Sequence, residues 1–441
     1  MKIIHVLNSY LPDQIAGTEI YVGALARELK KKSILSKVVI PNYTKRENEH
    51  YFYEGTEVIK YAEPTLASRE IITGKIAPKG VECFLEIIKK EQPDVVHFHE
   101  LAGSIGIGNF HVEAVKKLGF KSIITFHVAK YSCKTGTLMY MGKEKCNGII
   151  DTIRCSKCWL NYKGEKGLRK TVITQGFTLM NFLQIDTRFL KNELGTGLAF
   201  PYIIAGLKNE LFNLQQNTSK FIVLTQWYKD ILIRNGINEK QIALIYQGLP
   251  INNKRPAYIK KYSEKLRVIF IGRISHFKGV DIMLSALKLL DKNKIQLDIY
   301  GTASDETYLQ TCHEIAAEMS NVVWKGSLHP ELVIETIQQY DIICIPSAVS
   351  EMGPFVLKEA FAAGIPAIAS NVYGNAEQIT DGKNGWLFNF NDINDLKNKL
   401  QQLISDPSLI EKASQHIVPV KSFETVADEH EKLYKEIVGA V

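Results

Sequence analysis

No stretch of this sequence stays apolar for long enough to cross a membrane. A spanning helix needs roughly 18 consecutive apolar residues. The nearest approach, GLAFPYIIAGL at residues 197–207, is bounded by Lys191 and Lys208. The opening MKIIHVLNSYLP loses its apolar character too soon for a secretory signal. These absences predict a cytoplasmic protein, and a peripheral contact with the inner face of the cell membrane stays open.

Cysteine is scarce, and neither sign of charge dominates. The seven cysteines are not expected to form structural disulfides in a reducing compartment. Lysine and arginine number 54 against 47 aspartates and glutamates, an excess that suits anionic partners such as diphosphates or lipid headgroups. This excess is the only feature that favours nucleic acid, which we do not expect as a partner. The chain shows no internal repeat and no low-complexity tract.

Two series of short β-branched runs alternate with amphipathic helical stretches, which is typical of parallel-sheet α/β domains. Apolar residues make up 45% of the chain, enough for two hydrophobic cores. The predicted strands are 3–7, 38–40, 95–98, 122–126 and 221–224, then 268–271, 297–300, 342–345 and 367–369. We therefore predict an α/β protein with two Rossmann-like domains.

A polar, proline-bearing linker at 248–265 separates the two series. Residues 1–250 are predicted to form the first domain, with a cysteine-rich insert at about 130–210. Residues 266–420 form the second domain. Residues 421–441 form a terminal helix that packs back on the first domain.

In open α/β sheets, ligands bind at the loops that follow the strands, where helix amino termini offer N–H groups to phosphate. Gly17 follows the first strand and would let the backbone approach a phosphate. In VIFIGRISHFKGV, Gly272 and Arg273 end a strand and Lys278 begins the next helix. Two cations and a helix dipole would then converge, as a diphosphate requires. A simple turn glycine and solvated cations are the alternatives.

The segment SEMGPFVLKE places Glu351 and Glu359 eight residues apart, with Pro354 positioned to start a helix. Glu351 would then lie in the loop and Glu359 on the helix. Carboxylates accept hydrogen bonds from sugar and ribose hydroxyls. A chance pair of exposed glutamates is the alternative.

Together these segments resemble the retaining glycosyltransferases of family 4 (glycosyl transferases group 1), which share the GT-B fold. The resemblance is carried by IGRISHFKGVDIMLSAL, the E-x7-E element and AFAAGIPAIASNVYGNAEQITDGKNGWLF, and more loosely by AGTEIYVGALARELKKKS, DVVHFH and ITFHVAKYSC. It implies two Rossmann-like domains that face an inter-domain cleft. A UDP- or GDP-sugar would be held by the second domain, and a glycan or lipid-linked acceptor would approach from the first. Cell-surface polysaccharide or glycolipid synthesis would be the setting.

The resemblance also implies individual roles. Arg273 and Lys278 would hold the diphosphate, Glu359 the ribose and Glu351 the donor sugar. Gly17 would donate its N–H to the distal phosphate, and His127, in TFH, would contact the transferred sugar near the anomeric carbon. The same donor site would include Gly272, Gly353, Phe355 and Val356.

The resemblance also implies that the enzyme retains the anomeric configuration by a front-face route. The leaving phosphate deprotonates the acceptor, so neither a protein nucleophile nor a catalytic metal is expected. Two departures from the family pattern are Ala16, where a second glycine is common, and Gly353, where an aromatic residue is common.

Four cysteines, Cys133, Cys146, Cys155 and Cys158, fall within the insert, and CSKC is a C-x2-C pair of the kind that binds zinc. Four thiolates would close a structural zinc site, and reduced thiols without metal are the alternative. The insert is also basic, at Lys163, Lys166, Arg169 and Lys170. These residues favour contact with an anionic membrane or a lipid-linked acceptor, while helices that cover the active site would have the same composition.

Two other functions remain open at this stage. Another GT-B sugar-nucleotide enzyme, an epimerase or a phosphorylase, would share the fold. A zinc-stabilised glycan-binding protein without catalysis is the second alternative. The joint presence of Arg273, Lys278, Glu351 and Glu359 argues against a protein that only binds.

Overall fold

The computed structural model describes residues 1–45, 47–63, 71, 76–101, 106–185, 187, 193–250 and 264–439. Most of the predicted linker (251–263) and part of the predicted insert (186 and 188–192) lie outside these residues. The chain divides into two compact units. The first unit comprises Met1–Gly136, Asn147–Pro250 and Ser422–Val441, and the second comprises Thr137–Cys146 and Ile251–Lys421.

The first unit is built on a mostly parallel sheet, and the five β-branched runs predicted for it coincide with five of its strands. Its strands are β1 (Lys2–Val6), β2 (Leu35–Asn42), β3 (Glu49–Tyr53), β4 (Thr56–Ala62), β5 (Val95–His99), β6 (Lys121–Phe126), β9 (Lys220–Val223) and β10 (Ile242–Leu244). Their spatial order is β10-β9-β6-β5-β1-β2-β4-β3, and β3 is antiparallel to β4. Strand residues of this kind are buried on both faces because helices cover a parallel sheet on both sides.

The second unit contains a parallel sheet and a short hairpin. The strands of the sheet are β11 (Leu266–Ile271), β12 (Ile295–Tyr300), β13 (Val322–Gly326), β14 (Ile342–Ile345), β15 (Ala367–Ser370) and β16 (Gly385–Phe388), in the order β13-β12-β11-β14-β15-β16. The hairpin pairs β7 (Met139–Tyr140) with β8 (Glu144–Lys145). The predicted α/β class with two parallel-sheet domains is therefore confirmed.

Helices surround both sheets. In chain order they are α1 (Gly17–Lys31), α2 (Val81–Glu91), α3 (Asn109–Lys117), α4 (Thr152–Tyr162), α5 (Gly167–Phe182), α6 (Glu193–Leu198), α7 (Phe200–Asn217), α8 (Gln226–Arg234), α9 (Val280–Leu287), α10 (Glu306–Ala316), α11 (Val333–Ile337), α12 (Phe355–Ala362), α13 (Ile393–Ser405), α14 (Ser408–Gln415) and α15 (Phe423–Val438). None of the helices in the described part of the chain combines the length and the apolar character needed to cross a membrane.

The terminal helix α15 belongs to the first unit. The hydroxyl of Ser422 accepts the N–H of Thr425 and caps its amino terminus. Its Phe423 ring packs edge to face on Tyr21 of α1, with ring centroids 5.1 Å apart. This contact places α15 against the helix that follows β1.

The hairpin segment 137–146 lies within the predicted insert of the first domain, yet the structure groups it with the second unit. The N–H of Ser350 donates to the Thr137 carbonyl over 2.9 Å. The Lys145 ammonium donates to the Asn371 side chain, also over 2.9 Å. Composition cannot reveal this grouping, because it depends on hydrogen bonds between residues far apart in sequence.

Candidate active site

The second unit has a topological switch point between β11 and β14. From β11 the chain continues through β12 toward one edge of the sheet, whereas from β14 it continues through β15 toward the other. In a parallel sheet of this order, the loops after the two central strands diverge and leave a crevice. The loop after β11 carries Gly272, Arg273 and Lys278, and the loop after β14 carries Glu351. These four predicted residues therefore lie where such sheets bind ligands.

Lys278 and Glu351 form an ion pair across this switch point. The ammonium nitrogen of Lys278 is 2.6 Å from Oε1 of Glu351, and the hydroxyl of Ser347 donates to the same oxygen over 2.9 Å. An ammonium has three donors, so Lys278 keeps two for a further ligand while it compensates the carboxylate. The sequence predicted separate roles for the two residues, and the structure adds their direct pairing.

Two glycines allow the loops around this ion pair to approach closely. Gly279 has φ +65°, and a Cβ atom there would lie 2.0 Å from the carbonyl oxygen of Pro346. Gly374 has φ +91°, and its Cβ would lie 1.9 Å from the carbonyl oxygen of Glu351. L residues rarely adopt this backbone conformation, and both distances are far inside van der Waals contact. Only glycine therefore fits next to Lys278 and behind Glu351.

Arg273 differs from Lys278 because it has no partner among the residues that the structure describes. Its side chain is exposed, and within the described residues its guanidinium makes no hydrogen bond or ion pair. The preceding Gly272 anchors the loop, since its N–H donates to the Tyr300 carbonyl over 3.0 Å. The five guanidinium donors of Arg273 are therefore available to an anionic ligand.

Helix α12 begins directly after Pro354, as the sequence predicts. Phe355 and Val356 are its first two residues, so their N–H groups have no acceptor within the helix. Gly353 precedes Pro354 and has φ +97°. Glu351 lies in the loop before this turn, and Glu359 lies on the helix itself.

Glu359 is a partly buried carboxylate without a hydrogen-bond donor. Burial raises its pKa to about 7, and no described residue donates to it. A buried carboxylate without donors is unfavourable, so hydroxyl groups of a ligand would stabilise it.

Lys358, beside Glu359, was not predicted as a site residue, and burial lowers the pKa of its ammonium to about 8. Its Nζ donates to Gln378 over 2.8 Å, and Gln378 donates in turn to the carbonyl of Gly374. Lys358 thereby helps to hold the loop behind Glu351. Its neighbour Glu359 was the only signal for it in the sequence.

In the first unit, Gly17 and His127 both follow strands of the sheet. Gly17 is the first residue of α1, so its N–H is free of helical bonds. His127 comes directly after β6, and its half-buried ring packs edge to face on Tyr21 with centroids 4.9 Å apart. Burial lowers the pKa of His127 to about 3, with a smaller contribution from the charge of His430. The imidazole is therefore neutral near pH 7.

Glu100 supports the backbone at His127, and the sequence did not predict this role. Its Oε2 accepts the N–H groups of His127 and Val128 over 2.9 and 2.8 Å. Glu100 has φ +67°, a conformation that costs of the order of 1 kcal/mol or more for a residue other than glycine. Burial raises the pKa of its carboxyl group to about 7.

A cluster of buried histidines also escaped the sequence-based site prediction. His5 on β1 and His97 and His99 on β5 lie close enough for one ligand atom of each to fall within 4.8 Å of the others. Both nitrogens of His97 already have partners at 2.7 Å, the hydroxyls of Tyr434 and Thr125. The H-x-H spacing in DVVHFH was the available signal, because alternate strand residues share a face.

The four predicted cysteines are divided between the two units. Cys133, Cys155 and Cys158 belong to the first unit, and no three candidate ligand atoms among its described cysteines lie within 4.8 Å of one another. Cys146 belongs to the second unit. The thiol of Cys133 contacts the Thr135 hydroxyl at 3.1 Å. Zinc binding by these four cysteines stays a prediction.

Helix α5 of the insert has two apolar faces. Ile173 and Phe177 are buried and pack with Leu160 and Phe200. On the opposite face, four apolar residues at helical spacing are exposed: Leu168 (80%), Val172 (55%), Leu179 (52%) and Phe182 (80%). Exposed apolar residues that form a continuous face are typical of a contact surface, so the outer face of α5 is suited to a partner or a membrane.

Solved structures share this architecture. Sucrose-phosphate synthase from Thermosynechococcus elongatus superposes with a TM-score of 0.65 over the whole length of both chains at 16% identity. Anabaena HepE, solved in complex with UDP and glucose, superposes with a TM-score of 0.61 over 98% of this chain and 99% of its own at 14% identity. The protein therefore has the GT-B fold of glycosyltransferases.

Sequence comparison identifies the family. Residues 252–417 match the family described as "Glycosyl transferases group 1". The glycosyltransferase MJ1178 of Methanocaldococcus jannaschii is 30% identical over 323 residues, which cover 71% of this chain and 85% of that protein. WcaL of Escherichia coli, named for colanic acid biosynthesis, is 25% identical over 177 residues, 38% of this chain and 43% of its own length. The chain belongs to the glycosyl transferases group 1 family, and it is a glycosyltransferase.

Proposed function

We propose that this glycosyltransferase is a retaining enzyme that moves a hexose from a UDP- or GDP-sugar to a glycan or lipid-linked acceptor. The observation that carries the proposal is the arrangement at the switch point of the second unit. There the Lys278–Glu351 ion pair and the exposed Arg273 lie on the two loops that follow β11 and β14. Anabaena HepE, which shares the fold, was solved in complex with UDP and glucose, and this supports the donor class.

Each charged residue has a role that follows from its partners. Arg273 and the two remaining donors of Lys278 bind the diphosphate oxygens. Glu351 accepts hydrogen bonds from hydroxyl groups of the donor sugar through its second oxygen. Glu359 accepts hydrogen bonds from the ribose hydroxyls, which supply the donors that its buried carboxylate otherwise lacks. Phe355, Val356 and Gly353 border the same donor site through the free N–H groups at the start of α12.

The transfer needs no nucleophile from the protein. The bond between the anomeric carbon and the diphosphate oxygen breaks, and a bond to the acceptor oxygen forms on the same face of the sugar. The acceptor proton passes to the departing phosphate. Negative charge grows on that phosphate, so fixed cations aimed at it, Arg273 and Lys278, lower the barrier. Gly17 adds a backbone N–H to the distal phosphate, and His127 contacts the transferred sugar.

We further propose cell-surface polysaccharide or glycolipid synthesis as the setting. The name of WcaL, which refers to colanic acid biosynthesis, supports this proposal for a related protein. A structural zinc ion on Cys133, Cys146, Cys155 and Cys158 remains part of the proposal. No step of the transfer depends on that ion.

Donor screening tests the reaction. Purified protein is incubated with single UDP- and GDP-sugars, with and without lipid-linked and oligosaccharide acceptors, while nucleotide release and sugar transfer are both measured. Transfer with the same anomeric configuration as the donor is expected for one donor. Nucleotide release with an isomerised free sugar would indicate an epimerase instead. Release of neither product with any donor would contradict the proposal.

We also propose that the outer face of α5 rests on an anionic membrane surface. Leu168 and Phe182, the most exposed apolar residues of the helix, lie on one face, and Lys163, Lys166 and Arg169 are exposed near its amino terminus. Apolar side chains enter the headgroup region while basic side chains attract anionic lipids. A lipid-linked acceptor would be presented at the same surface.

Vesicle sedimentation tests this contact. We expect the protein to bind phosphatidylcholine vesicles that contain phosphatidylglycerol and not vesicles of phosphatidylcholine alone. The variant L168E/F182E should bind several-fold more weakly, because two charges replace the apolar contacts. A matched control is L289E/V418E, which alters two exposed apolar residues of the second unit. Equal binding by the two variants would contradict the proposed surface.

A further inference from the structure

One face of the first sheet carries histidines from three adjacent strands. His5 on β1 is paired in register with His97 on β5, and His99 lies two residues further along β5. His99 is in turn paired with Thr125 on β6, two residues before His127. Alternate residues of a strand share a face, so His5, His99 and His127 point to the same side of the sheet. Helices α1 and α15 cover this side through Tyr21 and His430, which contact each other.

Three of these histidines form a continuous hydrogen-bonded chain. Nδ1 of His99 lies 3.4 Å from Nε2 of His127, and Nε2 of His99 lies 2.9 Å from Nδ1 of His5. Nε2 of His5 lies 3.3 Å from the hydroxyl of Ser36. The chain therefore runs from a hydroxyl on β2, through two fully buried rings, to the half-buried ring of His127.

The burial of these rings restricts their protonation. Burial lowers the pKa of His5 to about 3 and that of His99 well below its ordinary value, and neighbouring histidines add smaller contributions. Each ring is therefore neutral and has one N–H and one bare nitrogen. Every bond in the chain needs one donor and one acceptor, so the tautomer of one ring dictates the tautomer of the next. Only two ordered arrangements satisfy all the bonds.

The two arrangements present different groups at His127. In one, Ser36 donates to His5, each ring is protonated on Nδ1, and His127 offers an N–H to its surroundings. In the other, His127 donates to His99, each ring is protonated on Nε2, and His5 donates to Ser36. The second arrangement uses the more stable tautomer of free histidine in all three rings. It leaves Nδ1 of His127 as a bare acceptor, and no described residue donates to it.

We propose that His99, whose other ring nitrogen is bonded to His5, is a positioning residue that fixes His127 in the Nε2-protonated tautomer, so that Nδ1 of His127 accepts a hydroxyl group of the bound sugar. The inference rests on the proposed function, because only that function assigns a sugar to His127. Within the histidine chain itself no ring carries a charge. The uncharged chain therefore favours a hydroxyl donor over an anionic group at this point of the sugar.

His99 permits a sharp test because it uses its two nitrogens for different partners. The amide of asparagine reaches the position of Nδ1, and the amide of glutamine reaches that of Nε2. H99N should keep the acceptor for His127 and lose the bond to His5, whereas H99Q should lose the bond to His127. We expect kcat to fall by about tenfold in H99Q, the scale of one hydrogen bond, with little change in H99N or in the KM for the donor.

His97 supplies the matched control. It is as buried as His99 and lies on the same strand, with the two ring centroids 3.9 Å apart, but it bonds to Tyr434 and Thr125. H97N and H97Q should lower the melting temperature by amounts similar to those of H99N and H99Q. Neither change should reproduce the difference in kcat between the two His99 variants. A purely structural role for His99 would make H99N and H99Q equally active.

The tautomer is read directly from 15N shifts of the imidazole nitrogens in long-range 1H–15N spectra of the full-length protein, with H127N to assign the signals. We expect His127 to be protonated on Nε2 in the wild type and in H99N, and to lose this single state in H99Q. Protonation on Nδ1 in the wild type would overturn the inference. A bound metal ion that is lost in H5N and H99N but retained in C158S would also overturn it. In that case the histidines would bind the ion instead of forming hydrogen bonds with one another. These measurements need no substrate, so they stand even if no sugar nucleotide is turned over.

Discussion

The two units prepare their candidate residues in opposite ways. In the second unit, Lys278, Glu351 and Arg273 are charged, partly exposed and placed on loops at the switch point of the sheet. In the first unit, His5 and His99 are neutral, fully buried and placed within strands behind His127. Charged groups suit a ligand whose own charge changes during the reaction. Rigid neutral groups suit recognition of a hydroxyl by direction, because a hydrogen bond depends on angle more steeply than a charge does.

The largest expected effect on turnover comes from removing the charged residues of the second unit. R273A or K278A should each reduce turnover by at least about a hundredfold, since each removes a cation that stabilises the leaving diphosphate. The control K288A removes an exposed lysine at the end of α9, away from the switch point. Transfer assays at saturating donor measure the loss. Near-normal turnover in both R273A and K278A would refute the diphosphate assignment.

The second effect concerns the support of the charged residues. G374A should lower the free energy of unfolding by about 2 kcal/mol more than G326A, measured by urea denaturation. Both glycines have positive φ, at +91° and +72°. Only at Gly374 would a Cβ collide with a neighbour, the carbonyl oxygen of Glu351 at 1.9 Å, whereas the space around Gly326 is open. Equal losses would mean that the loops can separate freely.

A third, smaller effect follows from the raised pKa of Glu359. Burial raises this pKa from the ordinary 4.5 to about 7. Between these values the folded protein holds a proton that the unfolded chain has lost, so stability falls as the pH rises through this window. The glutamine side chain in E359Q cannot ionise, so the variant should not show this part of the decrease in the free energy of unfolding. Burial also raises the pKa of Glu100 to about 7. Glu100 is present in both proteins, so its contribution to the pH dependence cancels in the comparison.

Urea denaturation of the wild type and E359Q at several pH values measures this difference. The stability of E359Q relative to the wild type should rise from about pH 4.5 to about pH 7 and then level off. UDP binding by calorimetry should weaken by roughly three- to tenfold in E359Q, because one carboxylate acceptor is lost. A pH-independent difference in stability would show that Glu359 titrates normally.

The smallest expected effect on turnover concerns the insert of the first unit. If the four cysteines bind a structural ion, metal analysis should find about one zinc per chain, and C158S should lose it with a lower melting temperature. Turnover of the remaining folded protein should change little, because a site with four thiolates leaves no position open for chemistry. Absence of zinc from the wild type would remove this prediction.

Sequence reasoning succeeded where a property repeats along the chain. The β-branched runs coincide with strands, Pro354 directly precedes α12, and α15 (Phe423–Val438) lies within the predicted terminal helix. Local propensity and burial act over a few residues, so they can be read without the fold. The switch-point residues were also accessible, because their motifs follow strands whose carboxyl ends meet at one edge of the sheet.

Pairings between distant residues were not accessible. The Lys278–Glu351 ion pair, the support of His127 by Glu100 and the chain from His5 to His99 join residues between 27 and 94 positions apart. No local pattern distinguishes a buried strand histidine that packs passively from one that is bonded at both nitrogens.

The sequence by itself determined the α/β class, the order of the strands along the chain and the family of this glycosyltransferase, because these follow from local periodicity and from motifs kept within single loops. Tertiary structure alone decided which strands are neighbours, that the hairpin at 137–146 groups with the second unit, and that Gly374 must lack a side chain. It also decided which histidines touch. Such contacts depend on register and crossover, which set distances that the spacing of residues along the chain does not contain.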